Sequence, residues 1–276
     1  MKRTLNCKGK LIDLNEPKVM GILNITPDSF YDKSRFSTND KLLKRTESML
    51  SEGATFIDVG AYSSRPGAEF VSEEEERKRL IPALEIILKE FPDVLLSVDT
   101  FRSNIARETI DLGASIINDI SGGDMDPEMF DVVVNKQVPY ILMHMRGNPQ
   151  TMSNLNNYDH LIVDIISELQ AKVNHLQKRG LNDIIIDPGL GFAKDLLQNY
   201  EIVKDLKSFN LIGHPLLIGA SRKSMIYKLL ECEPQSALIG TTVVHTACLL
   251  NGASILRVHD VKEAIEAIKI TTLLKK

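Results

Sequence analysis

Eight short, continuously apolar runs recur along the chain, and they limit its possible folds more than any other feature. They are Val19–Leu23, Thr55–Val59, Val94–Val98, Ser115–Asn118, Tyr140–Met143, Ile184–Ile186, Leu216–Ile218 and Ser254–Val258. Strands covered on both faces of a parallel sheet read this way, apolar and β-branched throughout rather than alternating. Helical spacing fills the intervals. Leu42, Leu43, Thr46, Met49 and Leu50 form one stripe, stopped by Gly53. Ser72 with Glu75 has the form of a capping box opening a helix that buries Leu80, Ile81, Leu84, Ile87 and Leu88. The acidic run Glu73–Glu76 then lies in the first turn, where the helix dipole favours it. Further helices are expected from Ser103 to Gly113, from Asp159 to Arg179, over Ser236–Leu250 and over Val261–Leu274. Alternation of this kind predicts an α/β protein, a (β/α)8 TIM barrel, as a single domain over residues 1–276. No G-x-G-x-x-G follows the first strand, which argues against an open dinucleotide-binding sheet. Residues 1–14 read as a short N-terminal β-hairpin that could cover the barrel bottom.

Composition narrows the partners. A formal net charge of −4 disfavours a general nucleic-acid or membrane surface, though not a local cationic pocket. The first fourteen residues lack the apolar core of a signal peptide, and no apolar run is long enough to cross a bilayer. Cys7, Cys232 and Cys248 are odd in number and far apart, which reads as reduced thiols rather than a disulfide framework or a zinc site. The expectation is a cytoplasmic protein with no nucleic-acid or membrane partner.

Polar residues at the C-terminal ends of barrel strands read as functional. Nearly every predicted strand supplies one: Asn24, Asp58, Asp99, Asn118, His144, Asp187, then Ser221, Arg222 and Lys223, and finally Arg257 with His259. Each alone has a plainer explanation; Asp99, before Thr100 and Ser103, could be a helix N-cap. Their convergence on one mouth is what argues for a site. Asn118 and Asp187 can donate and accept around a fused-ring heterocycle. Lys223 adds a cation. Arg257 and His259, two apart on a strand, point to the same side and suit a phosphate-like anion. Clustered His or Cys ligands are absent, so a tightly held transition metal is not expected. Mg²⁺ brought in with a diphosphate is compatible, since it needs only one or two protein oxygens. Two long loops, one running from Asn24 to Asn39 and one from Gly60 to Gly67, have the length of lids or binding loops.

At this point the sequence resembles the dihydropteroate synthases, of the pterin-binding TIM-barrel superfamily. The resemblance is carried by Gly21–Phe30 (GILNITPDSF), Asp58–Gly60 (DVG), Ser64–Gly67 (SRPG), Ser97–Thr100 (SVDT) and Ile117–Gly122 (INDISG). It continues through Leu142–Pro149 (LMHMRGNP), Asp187–Phe192 (DPGLGF), Gly219–Lys223 (GASRK) and Arg257–Asp260 (RVHD), all in family order. The resemblance implies a transferase that condenses 6-hydroxymethyl-7,8-dihydropterin diphosphate with p-aminobenzoate in folate biosynthesis. It implies that Asp99, Asn118, Asp187 and Lys223 hold the pterin between Met143 and Phe192, and that Asn24, Arg257 and His259 hold the diphosphate. It further implies Mg²⁺ beside Asn24, and an aminobenzoate pocket shaped by Ser64, Arg65, Pro66 and Ser221. The catalytic set is then Asp99, Asp187, Lys223 and Arg257, the mechanism a dissociative substitution, and the assembly a homodimer. The chain departs from the family pattern at Ser64, where Thr is usual, and at Ala61-Tyr62, where Gly-Glu is common; sulfonamide sensitivity turns on that corner. The competing readings are a methyltransferase-type pterin module, which has no diphosphate to manage, and a non-catalytic phosphate-binding barrel.

Overall fold

The computed structural model describes residues 3–25, 35–62 and 71–275, with the side chains of residues 35–38 outside that description. The chain opens with an antiparallel hairpin, β1 (Thr4–Cys7) and β2 (Lys10–Asp13). Its two-residue turn, Lys8-Gly9, has φ of 54° and 82°, the positive pair that matches the twist of a tight hairpin.

Eight parallel strands follow: β3 (Lys18–Asn24), β4 (Phe56–Gly60), β5 (Leu96–Asp99), β6 (Ile116–Asp119), β7 (Tyr140–Met143), β8 (Ile184–Asp187), β9 (Leu217–Ile218) and β10 (Ile255–Val258). Consecutive strands are neighbours from β3 to β8, and β10 pairs both β3 and the short β9. A parallel bridge between Ile186 and Leu216 joins β8 to the β9 segment and brings the sheet round on itself. Each expected strand is present within two residues of its expected ends.

The described helices are α1 (Arg35–Ser51), α2 (Glu73–Glu90), α3 (Ser103–Leu112), α4 (Met129–Lys136), α5 (Leu161–Lys178), α6 (Leu196–Lys204), α7 (Ser224–Tyr227), α8 (Leu238–Leu250) and α9 (Val261–Leu274). Only half of the expected capping box forms at α2. Ser72 accepts from the Glu75 amide at 3.2 Å, but the Glu75 carboxylate turns to Arg79 at 2.7 Å instead of reaching back.

Two apolar layers follow from the pleat. The outward side chains of the strands pack under the helices, as Val19, Ile57, Leu96, Ile117, Leu142, Ile186 and Leu256 do. The inward ones at the N-terminal ends, Met20, Phe56, Ile116, Ile141, Ile185, Leu217 and Ile255, pack against Leu5, Cys7, Ile12 and Leu14 of the hairpin. The hairpin therefore closes the barrel bottom. Fully burying a side chain such as Leu5 contributes about 1.5–3 kcal/mol, and this plug leaves the opposite end for chemistry. Among the described residues no helix is long and apolar enough to cross a membrane, and all three cysteines are free.

Candidate functional site

Strand alternation selects the side chains that enter the barrel. Ile255 lies in the bottom plug, so Arg257 faces inward one layer higher and His259 two layers higher. The same count carries Phe56 to Asp58 and Gly60, Ile116 to Asn118 and Ile120, Ile141 to Met143 and Met145, and Ile185 to Asp187. It carries Leu95 to Ser97 and Asp99, Met20 to Ile22 and Asn24, and Leu217 to Gly219 and Ser221. Strand register then sets Asn24, Gly60, Asp99 and Asn118 side by side across four neighbouring strands, and Met143 beside Asp187. Glycine at position 60 gives Asp99 room, because a Cβ there would stand 3.2 Å from that of Asp99 and press it aside by a few tenths of an ångström.

The inner layer is knotted around Arg257. Its Nε donates to Asp58 Oδ2 at 2.6 Å and its Nη2 to Asp99 Oδ2 at 2.7 Å. Asn118 Nδ2 donates to the same Asp58 oxygen at 3.2 Å. Two acceptors beside this knot, Asp58 Oδ1 and Ser97 Oγ, are buried without a hydrogen-bond partner among the described residues. Burial pushes the Asp99 carboxyl up to about 7, with the Arg257 charge pulling against it. Burial also works against the Arg257 charge, but Asp58 and Asp99 outweigh it and hold the guanidinium above its ordinary value.

Asp187 lies on the adjoining side of the mouth. Its Oδ1 accepts from the Gly189 amide at 2.7 Å. Burial raises its carboxyl, while Lys223 and that amide oppose the rise. Lys223 crosses over Gly191, donates to the Leu190 carbonyl at 2.5 Å and stands 4.6 Å from the centroid of the Phe192 ring. Burial lowers its amine to about 8, with Asp187 and Asp99 pulling it back up and Arg257 adding to the fall. Asn118, Lys223 and Arg257 thus face one interior space, with Met143 and Phe192 in an apolar cluster at its rim beside Tyr62, Phe101 and Met145.

Two expectations look different in three dimensions. Arg257 and His259 are not a pair reserved for an anion. Arg257 is tied to two carboxylates, although its Nη1 makes no hydrogen bond among the described residues. His259 instead meets Ser221, whose Oγ accepts from the His259 amide at 3.2 Å and lies 3.1 Å from its Nδ1. Asp99 is not a helix cap: Arg102 occupies that position, and the Ser103 amide donates to Asp126 at 2.7 Å. Ser64, Arg65 and Pro66, with the tips of both long loops, lie outside the described residues. Asn24 ends β3 partly buried, and no group of three His, Cys, Asp or Glu side chains among the described residues could cage a metal.

One cluster escaped the sequence reading apart from its first member, His144, which ends a strand. Lys194 Nζ lies 3.0 Å from His144 Nδ1, and His144 Nε2 lies 2.9 Å from Glu168 Oε2. Glu168 also pairs with Arg146, whose guanidinium covers the Tyr158 ring at 4.0 Å. The signal was present, since Lys194 closes the same glycine-rich loop that carries Asp187 and Phe192.

A family model described as pterin binding enzyme matches residues 20–259, and the chain belongs to that family. The dihydropteroate synthase of Escherichia coli K12 is 40% identical over 268 residues, covering 96% of this chain and 94% of its own length. The mitochondrial folate synthesis bifunctional protein of Arabidopsis thaliana is 42% identical over 287 residues; the match covers 98% of this chain and 52% of the plant protein, so the chain spans about half of that relative. The crystal structure of Yersinia pestis dihydropteroate synthase in complex with a sulfonamide drug superposes with a TM-score of 0.91 at 40% identity, covering 99% of each chain.

Proposed function

We propose that this chain is a dihydropteroate synthase, joining 6-hydroxymethyl-7,8-dihydropterin diphosphate to p-aminobenzoate with release of diphosphate. One observation carries the reading: Asp99, Asn118, Asp187 and Lys223, from four different strand ends, converge on one buried polar space at the barrel mouth, above an Asp58 Oδ1 and a Ser97 Oγ that have no hydrogen-bond partner among the described residues. The carboxylate, amide and ammonium groups at that mouth can accept from and donate to a flat bicyclic ring bearing amino and ring N–H groups. Met143 and Phe192 supply the apolar walls such a ring needs.

Arg257 Nη1, His259 and Asn24 line the remaining corner and hold the diphosphate. Asn24 offers a single oxygen, which fits Mg²⁺ that takes most of its ligands from the substrate and water. When bound, that ion neutralises leaving-group charge. The pterin methylene–oxygen bond breaks with its electrons going to the diphosphate, and Arg257 and His259 stabilise the charge that develops there. The methylene is left cationic and conjugated with the ring; Asp99, and less directly Asp187, offset its charge. The aniline nitrogen lone pair then forms the new C–N bond, and the nitrogen gives up a proton to solvent. Ser221, beside His259, lies on the aminobenzoate side, to which the family resemblance also assigns Ser64, Arg65 and Pro66. No covalent intermediate on the protein is needed.

A homodimer in the cytoplasm completes the reading. Ile239 and Val243 on α8 and Ile270 and Leu273 on α9 are more than half exposed on two helices that pack together, an apolar face suited to a second copy. Three free cysteines fit a reducing compartment. The test is turnover of the pterin diphosphate with p-aminobenzoate, with and without a chelator. Dihydropteroate should form, and chelation should slow it and added Mg²⁺ restore it. No product with Mg²⁺ present would exclude the synthase reading.

A further inference from the structure

A closed set of contacts behind the Asp187 loop has no part in the chemistry described above. Lys194 Nζ donates to the Phe192 carbonyl at 2.8 Å and meets His144 Nδ1 at 3.0 Å. Glu168 holds its carboxyl down to about 2, first through its bond to His144, and is therefore an anion; it must accept from His144 Nε2–H. That fixes the neutral tautomer of His144, with Nδ1 left as an acceptor for Lys194. Arg146 secures Glu168 from the other side and donates to the Asn157 carbonyl at 2.6 Å. Tyr158, under the Arg146 guanidinium, donates to the Ala193 carbonyl at 2.9 Å. Both carbonyls flanking the turn after the Phe192 wall are thus held, at a point where Ala193 takes φ of +50°. An L residue rarely adopts that value without support from its surroundings.

The loop is equally tight on the Asp187 side. Gly189, whose amide holds Asp187 Oδ1, has φ of +73°, and a Cβ there would lie 2.0 Å from the His144 carbonyl oxygen and 3.4 Å from Lys194 Nζ. The His144 amide in turn donates to the Asp187 carbonyl at 2.9 Å. The groups facing the Lys194 ammonium are Asp187 from β8, Lys223 from the segment after β9, Glu168 from α5, and His144 and Arg146 after β7. Burial lowers its amine to about 7, with Asp187 opposing and Lys223 reinforcing the fall.

We propose that Lys194 is a positioning residue for the pterin: its ammonium ties the Asp187–Phe192 loop to the His144–Glu168–Arg146 chain, so that the carboxylate and the aromatic wall meet the ring together. This rests on the synthase reading of the same site. Lys194 touches the loop and not the reacting atoms, so its loss acts on pterin capture rather than on the bond-making step. Because the ammonium gives up its proton within the working pH range, its contribution is largest in mild acid and fades as pH rises.

The test compares wild type with Lys194→Met, a substitution that keeps the stem and removes the charge, by steady-state kinetics from pH 6 to 9. The pterin diphosphate KM should rise at least tenfold at pH 6 with kcat within threefold and the aminobenzoate KM unchanged. The variant-to-wild-type ratio of pterin KM should fall several-fold between pH 6 and pH 8.5 without reaching one, because the neutral amine still donates its remaining N–H groups more weakly. Taking the ratio cancels the titration of Asp99, which both enzymes share. Glu168→Gln, which loosens His144, should raise the same KM several-fold. A ratio that does not change with pH, or equal losses toward both substrates, overturns the proposal while wild-type turnover still stands. Absence of wild-type turnover would instead remove the synthase reading. If Lys194→Met does not fold by circular dichroism, Lys194→Gln and Glu168→Gln carry the same comparison.

Discussion

Arg257 on β10 and Asp58 on β4, 199 residues apart in sequence, meet over the intervening strand β3, Nε to Oδ2 at 2.6 Å, and Asp58 is wholly buried. The contact makes one guanidinium serve two ends. It neutralises carboxylates that the fold has taken out of water, and on the synthase reading proposed above it also meets the leaving-group charge. Removing one partner of a buried ion pair leaves the other uncompensated, typically at about 3–5 kcal/mol. Arg257→Ala is therefore expected to lower both urea-unfolding stability, by about 3 kcal/mol, and kcat. The Asp58 and Asp99 contacts carry the folding cost. Unchanged stability would mean that the Asp58 pairing contributes nothing net.

Asp187 and Lys223 come from different strand ends and interact through charge, the lysine raising its proton affinity in response to Asp187. Asp187→Ala and Lys223→Ala should each lose at least a hundredfold in pterin affinity, measured by titration with a pterin, with aminobenzoate recognition less affected. The double variant should lose less than the sum of the two, because each residue is worth most while the other is charged. Strict additivity would place the two in separate pockets.

The eight strands were legible because each is apolar on both faces, and a pattern repeated eight times leaves few architectures. The site was legible for a related reason: period-two alternation brings Asp58, Asp99, Asn118, Asp187 and Arg257 inward once the strand frames are right. Shorter elements were not. Helix α4 has only eight residues, too few for a stripe, and α6 has nine, with Leu197 on its exposed side, although its capping box of Asp195 and Gln198 was there to read. The Arg257 knot and the Lys194 chain were invisible for a different cause. Whether an arginine is spent on carboxylates or held for a ligand depends on distances between strands, and a linear sequence does not contain them.

Buried histidines give the stability a pH signature. Burial pushes His144 and His245 each down to about 4, with Glu168 pulling the first back up and Asp260 the second. In the unfolded chain each titrates near 6.5, at roughly its reference value. As pH falls from about 6.5 towards 4, the unfolded state takes up protons that the folded state refuses. Stability is whole above this window and declines through it. His245, whose Nε2 is buried without a partner among the described residues, isolates the effect from the Glu168 network. His245→Leu should reduce the stability difference between pH 7 and pH 4.5, read by urea unfolding, by about 2 kcal/mol. An identical difference in both proteins would show that His245 protonates as freely folded as unfolded.

The exposed apolar face on α8 and α9 leads to the last expectation. Ile239 and Val243 are one helical turn apart, at 80% and 64% exposure, and Ile270 at 61% adds a third large side chain from the adjoining helix. Contiguous apolar surface of this kind on a folded chain marks an interaction site more often than chance packing. The neighbouring helix faces bury Val244, Cys248 and Ala267 in the core, so the outward residues can change without disturbing it. Val243→Glu combined with Ile270→Glu should then leave circular dichroism and thermal unfolding of the protomer near wild type while sedimentation moves from a dimer to a monomer. Charges placed opposite their own symmetry mates repel, which is why two substitutions suffice on a twofold interface. A wild-type chain that sediments as a monomer at micromolar concentration would remove the dimer, and leave this face to some other partner.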